Sequence, residues 1–261
     1  MTAAVLLAVN GLAVRFGGLT AIDDLTLEVR QGEVLALIGP NGAGKTSAFN
    51  AITGYHAPSA GSVVFGGVRL NGLPPHRIAE LGLVRTFQKT SVFGGRSALE
   101  NILTGLHLRS TQRPFAILLG LPSVAREERR LEAQAREILA FVGLAARAGD
   151  LASALPYGEQ RLLEIAIALA AKPKLLLLDE PVSGMNPVET QSFMTKLADI
   201  RALGVAVLLV EHDMKMVMGV SDRIVCLSQG RVIANGTPVQ IQRDPEVIRA
   251  YLGERYARAH D

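Results

Sequence analysis

A single cysteine, Cys226, stands in a chain of 261 residues. One thiol cannot close an internal disulfide, which excludes a cystine-stapled fold and favours a reducing compartment. Its neighbours, Arg223-Ile-Val-Cys-Leu, make it a buried strand residue. No apolar run approaches the roughly 18 residues of a membrane-crossing helix, so the chain is not expected to span a bilayer by itself. Residues 3–9, AAVLLAV, have the apolarity of a secretory segment but no basic residue before them. Asn10-Gly11 and an alternating pattern follow, so they read as a first strand. The net charge is only +3 and the basic residues are dispersed, so charge alone names no partner. Acids and bases alternate over Arg126 to Arg130 and at Glu132 without interleaved aromatics, which makes those residues a solvated helix face and not a nucleic-acid surface. Internal repeats, low-complexity linkers and a long coiled coil are also missing.

What is there reads as α/β at both ends and helical in the middle. Short strands with glycine turns fill residues 4–70, with a hairpin signal at Val63-Val-Phe-Gly-Gly-Val-Arg-Leu. The pattern predicts an α/β core with a β subdomain over about 1–94 and 173–240. A helical subdomain is expected over about 95–172 and a C-terminal helical tail over about 241–261. In the helical part, Leu131, Ala135, Ile138 and Val142 share one stripe, and Gly143 is a stop. A further helix runs from about Pro187 to Ala202. Asp244-Pro245-Glu246 caps a short tail helix expected to close at Gly253.

The strongest local signal is VLALIGPNGAGKTSAFNAITG, residues 34–54. An apolar strand, Val34 to Ile38, leads into Gly39-Pro40-Asn41-Gly42-Ala43-Gly44-Lys45-Thr46-Ser47 and then a helix ending at Gly54. Strand, glycine loop and helix are the context a phosphate-binding loop requires. The glycines let backbone N–H groups close around the α- and β-phosphates, Lys45 brings positive charge toward the β- and γ-phosphates, and the Thr46 hydroxyl can ligate Mg²⁺. Leu175 to Leu178 form a second buried strand ending in Asp179-Glu180, at the edge where open α/β sheets bind ligands. Asp179 is expected in the Mg²⁺ shell opposite Thr46, and Glu180 is the candidate that orients and deprotonates the attacking water. A third apolar strand, Val205 to Val210, ends at Glu211-His212-Asp213, which puts His212 at the same edge to sense the γ-phosphate.

A second anion site is written at LPYGEQRLLEIAIALA, residues 155–170. Proline favours a first helical position and pushes Leu155 to extended geometry, so a helix is expected from Pro156 to Ala170. The N–H groups of Tyr157, Gly158 and Glu159 would face outward at the positive end of its dipole.

Taken in order, these elements resemble the ATP-binding subunit of an ABC transporter over essentially the whole chain. The resemblance covers Phe16 before the loop, the loop itself, Gln88 in TFQK, the helix start at Leu155 to Glu159, Asp179 with Glu180, the turn Gly184-Met-Asn-Pro, and His212. The stretches RFGGLTAI, VRTFQ, YGEQRLLEIA, EHDM, GTPVQI and PEVIRAYLGE are similar to the branched-chain amino acid uptake subfamily. The resemblance implies an α/β phosphate-loop fold with antiparallel β and helical subdomains, ATP and Mg²⁺ as ligands, and ATP hydrolysis coupled to transport. It implies Phe16 stacking on adenine, Gln88 contacting Mg²⁺, and the helix start capping the γ-phosphate of ATP held by a second ATPase subunit, whether a different chain or a second copy. Two membrane permease subunits and an external solute-binding protein complete the expected assembly, with this chain peripheral on the cytoplasmic face of the inner membrane. Pro156, Tyr157 and Glu159 depart from the common LSGGQ, and Asn186 stands where many relatives carry aspartate.

Other readings stay open at this level. Uptake of urea, amides or small aromatic acids, lipopolysaccharide export, and a soluble non-transport ABC ATPase are alternatives within the family. A phosphate-loop kinase or GTP-binding switch would lack elements like Gln88 and the 155–160 helix start, and no NKxD guanine motif occurs. Residues 88–122 carry Phe93, Phe115, Ile117, Leu118 and Leu119, which form either a buried core or a groove for permease helices.

Overall fold

The computed structural model describes residues 3–86, 92–107 and 122–258. Two compact units emerge, one from Met1–Arg85, Lys174–Ser183 and Thr190–Asp261, the other from Thr86–Pro173 and Gly184–Glu189.

All ten strands of the described residues belong to one sheet of the first unit: β1 Val5–Phe16, β2 Leu19–Arg30, β3 Val34–Ile38, β4 Ala60–Phe65, β5 Val68–Arg69, β6 Leu83–Arg85, β7 Leu175–Asp179, β8 Ala206–Val210, β9 Arg223–Ser228 and β10 Arg231–Gly236. Their order is β5-β4-β1-β2-β10-β9-β3-β8-β7-β6. The sequence explains the division within it. β3, β7 and β8 are five-residue apolar runs buried along their whole length, as parallel strands covered on both faces require. β2 instead alternates, turning Leu25, Leu27 and Val29 inward, which suits the antiparallel pairing with β1. Contrary to the expectation of short strands, β1 and β2 are 12 residues each. The hairpin signal is realised as β4 and β5, paired through Val64 and Arg69.

Helix α1, Lys45–Ile52, buries Phe49 and Ile52 in the same apolar cluster as Leu7, Ile22 and Phe65. Each such side chain contributes about 1.5–3 kcal/mol through removal from water. Cys226 lies in β9 with no exposed surface, and burial, seconded by the charge of Asp244, pushes its thiol up to about 12. Further along come α2 Pro75–Glu80, α6 Pro187–Ala202, α7 Met214–Val220, α8 Pro238–Arg243 and α9 Pro245–Arg258. The expected stop at Gly253 is not used. Helix α9 continues to Arg258, since a glycine inside a helix costs only about 1 kcal/mol. No helix of the described residues is long and apolar enough to cross a membrane.

In the second unit α3 Ala98–His107, α4 Pro122–Val142 and α5 Tyr157–Ala170 close around Ile102, Leu131, Ala135, Leu139 and Leu163. Val142 is buried with them and Ile138 packs half-buried against them, while Arg130–Glu127 and Arg136–Glu132 pair on the outer face of α4. Phe93 is 53% exposed, so it is not part of the core. Phe115, Ile117, Leu118 and Leu119 lie outside the described residues.

Candidate functional site

Three neighbouring parallel strands end together. Leu37 of β3 pairs with Val210 of β8, and Val210 pairs with Asp179 of β7. The glycine loop, His212 and the Asp179-Glu180 pair therefore leave the sheet at one edge, with β3 and β7 about 10 Å apart across β8.

The loop from Gly39 to Gly44 is built to present backbone. Gly44 caps α1 at φ 103, and a Cβ there would lie 2.4 Å from the Ala21 carbonyl oxygen. Only glycine fits. Ala43 donates its N–H to the Pro40 carbonyl, and Lys45 Nζ donates to the carbonyls of Gly39 at 2.6 Å and Pro40 at 2.9 Å. The lysine stem is thus folded across the mouth of the loop. No side chain caps α1 and its first turn holds no acidic residue, so its dipole faces the loop uncompensated. Asn41, Gly42 and Thr46 are exposed, and Ser47 is half-buried. Phe16, at the end of β1 and 44% exposed, meets His56 edge to face at 5.2 Å. His56 in turn donates its N–H to Asn50 of α1, which ties the aromatic to the loop's own helix.

Asp179 is buried against Arg85 of β6, whose Nη2 donates to Oδ2 at 2.8 Å. The same guanidinium donates to Asn50 Oδ1 and lies over the rings of Phe49 and Tyr55. Sequence reading missed Arg85; three residues before Gln88, it drew no attention because its partner is 94 positions away. Gln88 itself lies outside the described residues. With both side chains under a tenth exposed, loss of one partner leaves a buried charge alone. Arg85→Met is expected to destabilise the fold by about 3–5 kcal/mol, with Arg85→Met/Asp179→Leu regaining most of it; chemical denaturation monitored by circular dichroism reads both.

Glu180 follows β7 with a left-handed φ of 49, its N–H held by the Val210 carbonyl at 2.8 Å. His212 presents an imidazole 67% exposed, beside the fully buried Glu211 carboxylate. Glu211 accepts from the N–H groups of Val182, His212 and Asp213. Sequence reading named it only as a strand end. Among the described residues, no three His, Cys, Asp or Glu side chains gather to hold a metal by themselves. The Thr46 hydroxyl and Asp179 carboxylate are hard oxygen donors, the set Mg²⁺ takes when substrate phosphates and water fill its remaining positions.

At the other helix start the chain departs from expectation by one residue. Pro156 is the cap of α5 at ψ 151 and Tyr157 its first residue, because an extended ψ places proline outside the helix proper; Leu155 is extended, as expected. Tyr157 accepts a hydrogen bond from Arg161 Nε at 3.0 Å, and Arg161 pairs in the interior with Glu164 at 2.8 Å. Glu159 is engaged by Arg147 at 3.1 Å. Behind Gly158 lies Glu189, whose Oε1 would be 2.8 Å from a Cβ added there. Glu189 completes a reciprocal cap with Asn186, accepting its N–H while Asn186 Oδ1 accepts from Val188 and Glu189. Asn186 supports its own helix start as aspartate would.

Residues 22–183 match the family described as ABC transporter. The chain belongs to the ABC transporter family. It is an ATP-binding, ATP-hydrolysing cassette of the α/β phosphate-loop fold. Residues 231–257 match a second description, branched-chain amino acid ATP-binding cassette transporter. The cassette is 46% identical to the high-affinity branched-chain amino acid transport ATP-binding protein LivG of Salmonella typhimurium, over 95% of this chain and 98% of that one. It is 45% identical to the corresponding protein BraF of Pseudomonas aeruginosa, again over 95% and 98%. Among solved structures, the ADP conformation of an ATP-binding cassette of an ABC transporter superposes with a TM-score of 0.84 at 29% identity, covering 96% of this chain and 99% of that one.

Proposed function

We propose that this ABC ATPase powers uptake of branched-chain amino acids. It works beside a second ATPase subunit, under two membrane permease subunits fed by an extracytoplasmic solute-binding protein, at the cytoplasmic face of the membrane. The observation that carries this reading is likeness along nearly the whole length to LivG, joined by the separate match at residues 231–257.

In this reading Phe16 stacks on adenine, and the N–H groups from Gly39 to Ser47 hold the phosphates, with Lys45 swinging from the loop carbonyls to the β- and γ-phosphates. Thr46 and Asp179, joined by Gln88, are the ligands for Mg²⁺, which when bound neutralises charge on those phosphates. Glu180 aligns a water on the γ-phosphorus and takes its proton, while His212 donates to a γ-oxygen where charge develops. The helix start at Tyr157, Gly158 and Glu159 serves the nucleotide held by the second ATPase, with Glu159 kept off the anion by Arg147. Phe93 belongs to the surface that receives the permeases.

The test is ATP hydrolysis by the purified transporter in membranes. Leucine-loaded binding protein is expected to stimulate it several-fold and the unloaded protein much less. Stimulation only by a urea, amide or aromatic-acid binding protein would assign another solute.

A further inference from the structure

We propose that Glu211 is a positioning residue that sets the separation of Glu180 and His212. The inference deepens the proposed ATPase site and rests on it.

A carboxylate with no exposed side-chain surface is costly to keep in a protein interior unless its oxygens are satisfied. Here Oε1 accepts the Val182 N–H at 2.9 Å, and Oε2 accepts those of His212 at 2.9 Å and Asp213 at 3.3 Å. Val182 belongs to the turn that leaves β7 through Glu180, and His212 to the turn that leaves β8. The same carboxylate therefore holds both turns, one on each oxygen. The turn it anchors is the strained one: Glu180 is left-handed, its N–H donating to the Val210 carbonyl and its carbonyl accepting from the Ser183 N–H. On the other side, Asp213 goes on to cap α7 by accepting from Met216. Bracing alone does not require this residue type, since apolar packing can hold two turns together. A carboxylate is needed because backbone donors arrive from two directions and only an acceptor on both branches can meet them. The two turns carry the groups assigned to the water and to the γ-phosphate, so a shift of one against the other misaligns the attack, where about 1 Å can cost 10²-fold.

Glu211→Gln keeps the shape but turns one branch into a donor that opposes an N–H. In the assembled transporter kcat is expected to fall about 10- to 100-fold, while KM for ATP and ATP affinity of the isolated chain change less than about threefold. Amide hydrogen exchange should quicken at Val182 and His212. In a His212→Ala background the further loss should shrink to less than about threefold, because the two changes act through one geometry. If the amide variant does not fold, Glu211→Asp retains both acceptor oxygens on a shorter stem, and the same drop in kcat at unchanged affinity is expected. Unchanged kcat, or a loss that only follows the unfolded fraction and vanishes on cooling, would overturn the proposal. Glu180→Gln runs as the control. If it too hydrolyses ATP normally, the site assignment itself falls; if it is inactive while Glu211→Gln and Glu211→Asp are normal, only the role of Glu211 falls.

Discussion

Glu180→Gln is expected to lower ATP hydrolysis by the assembled transporter about 10²–10⁴-fold while leaving ATP binding in place. The amide keeps the size of the side chain and the left-handed turn that aims it, but has no oxygen basic enough to take a proton from water. Nothing in the cradle from Gly39 to Ser47 is touched, so affinity should hold. Lys45→Ala gives the opposite split. It deletes a charge-assisted contact of about 1.5–3 kcal/mol and weakens nucleotide binding first. Equilibrium binding of a fluorescent ATP analogue, run beside turnover with the second ATPase subunit disabled, separates the two. Near-normal turnover by Glu180→Gln would remove it from the role of base.

The second large effect is expected at Pro156. If the start of α5 serves a nucleotide on another subunit, a charge placed there should be silent in the isolated chain and severe in the assembly. Gly158→Asp is the substitution that the sequence alone suggests, but its side chain would enter the space of Glu189 and disturb the cap that Glu189 forms with Asn186. That variant damages its own chain. Pro156 is exposed and stands at the cap with an extended ψ, where Asp and Ser are both favoured and each stabilises a helix by about 0.5–2 kcal/mol over a residue that cannot cap. The pair Pro156→Asp and Pro156→Ser thus shares the capping gain and differs in charge. A carboxylate about 4 Å from a γ-phosphate oxygen repels it by about 4 kcal/mol at an effective dielectric of 20, close to three decades in rate. Pro156→Asp should cut hydrolysis by the complex more than about 10²-fold with ATP affinity of the isolated chain unchanged. Pro156→Ser should leave both near their starting values. Loss of ATP binding by isolated, folded Pro156→Asp would mean that this helix serves its own nucleotide.

What could be read from the sequence was what a few consecutive residues dictate. Val34–Ile38, the glycine loop and α1 follow from one unbroken stretch whose backbone demands, such as Gly44, only one residue type meets. The helix over Pro187–Ala202 and the stop of α4 before Gly143 were legible for the same reason. Where two helix-start rules compete, the boundary slipped: proline suits both the cap and the first turn, and its ψ chose the cap. The unread part consists of contacts made by topology. Arg85 meets Asp179 because β6 docks beside β7, and Glu211 meets Val182 because β8 lies next to β7. No local periodicity records either neighbour. Glu189 facing Gly158 is of the same kind, and it alters which substitution makes a fair test.

In the proposed function, transport is driven by this chain's hydrolysis of ATP. Its most direct test is uptake of labelled leucine at low external concentration by cells lacking the gene, complemented with the wild-type chain or with Glu180→Gln at matched expression. High-affinity uptake is expected to disappear in the deletion, to return with the wild type, and to stay absent with Glu180→Gln. Unchanged leucine uptake in the deletion, or full rescue by Glu180→Gln, would contradict it.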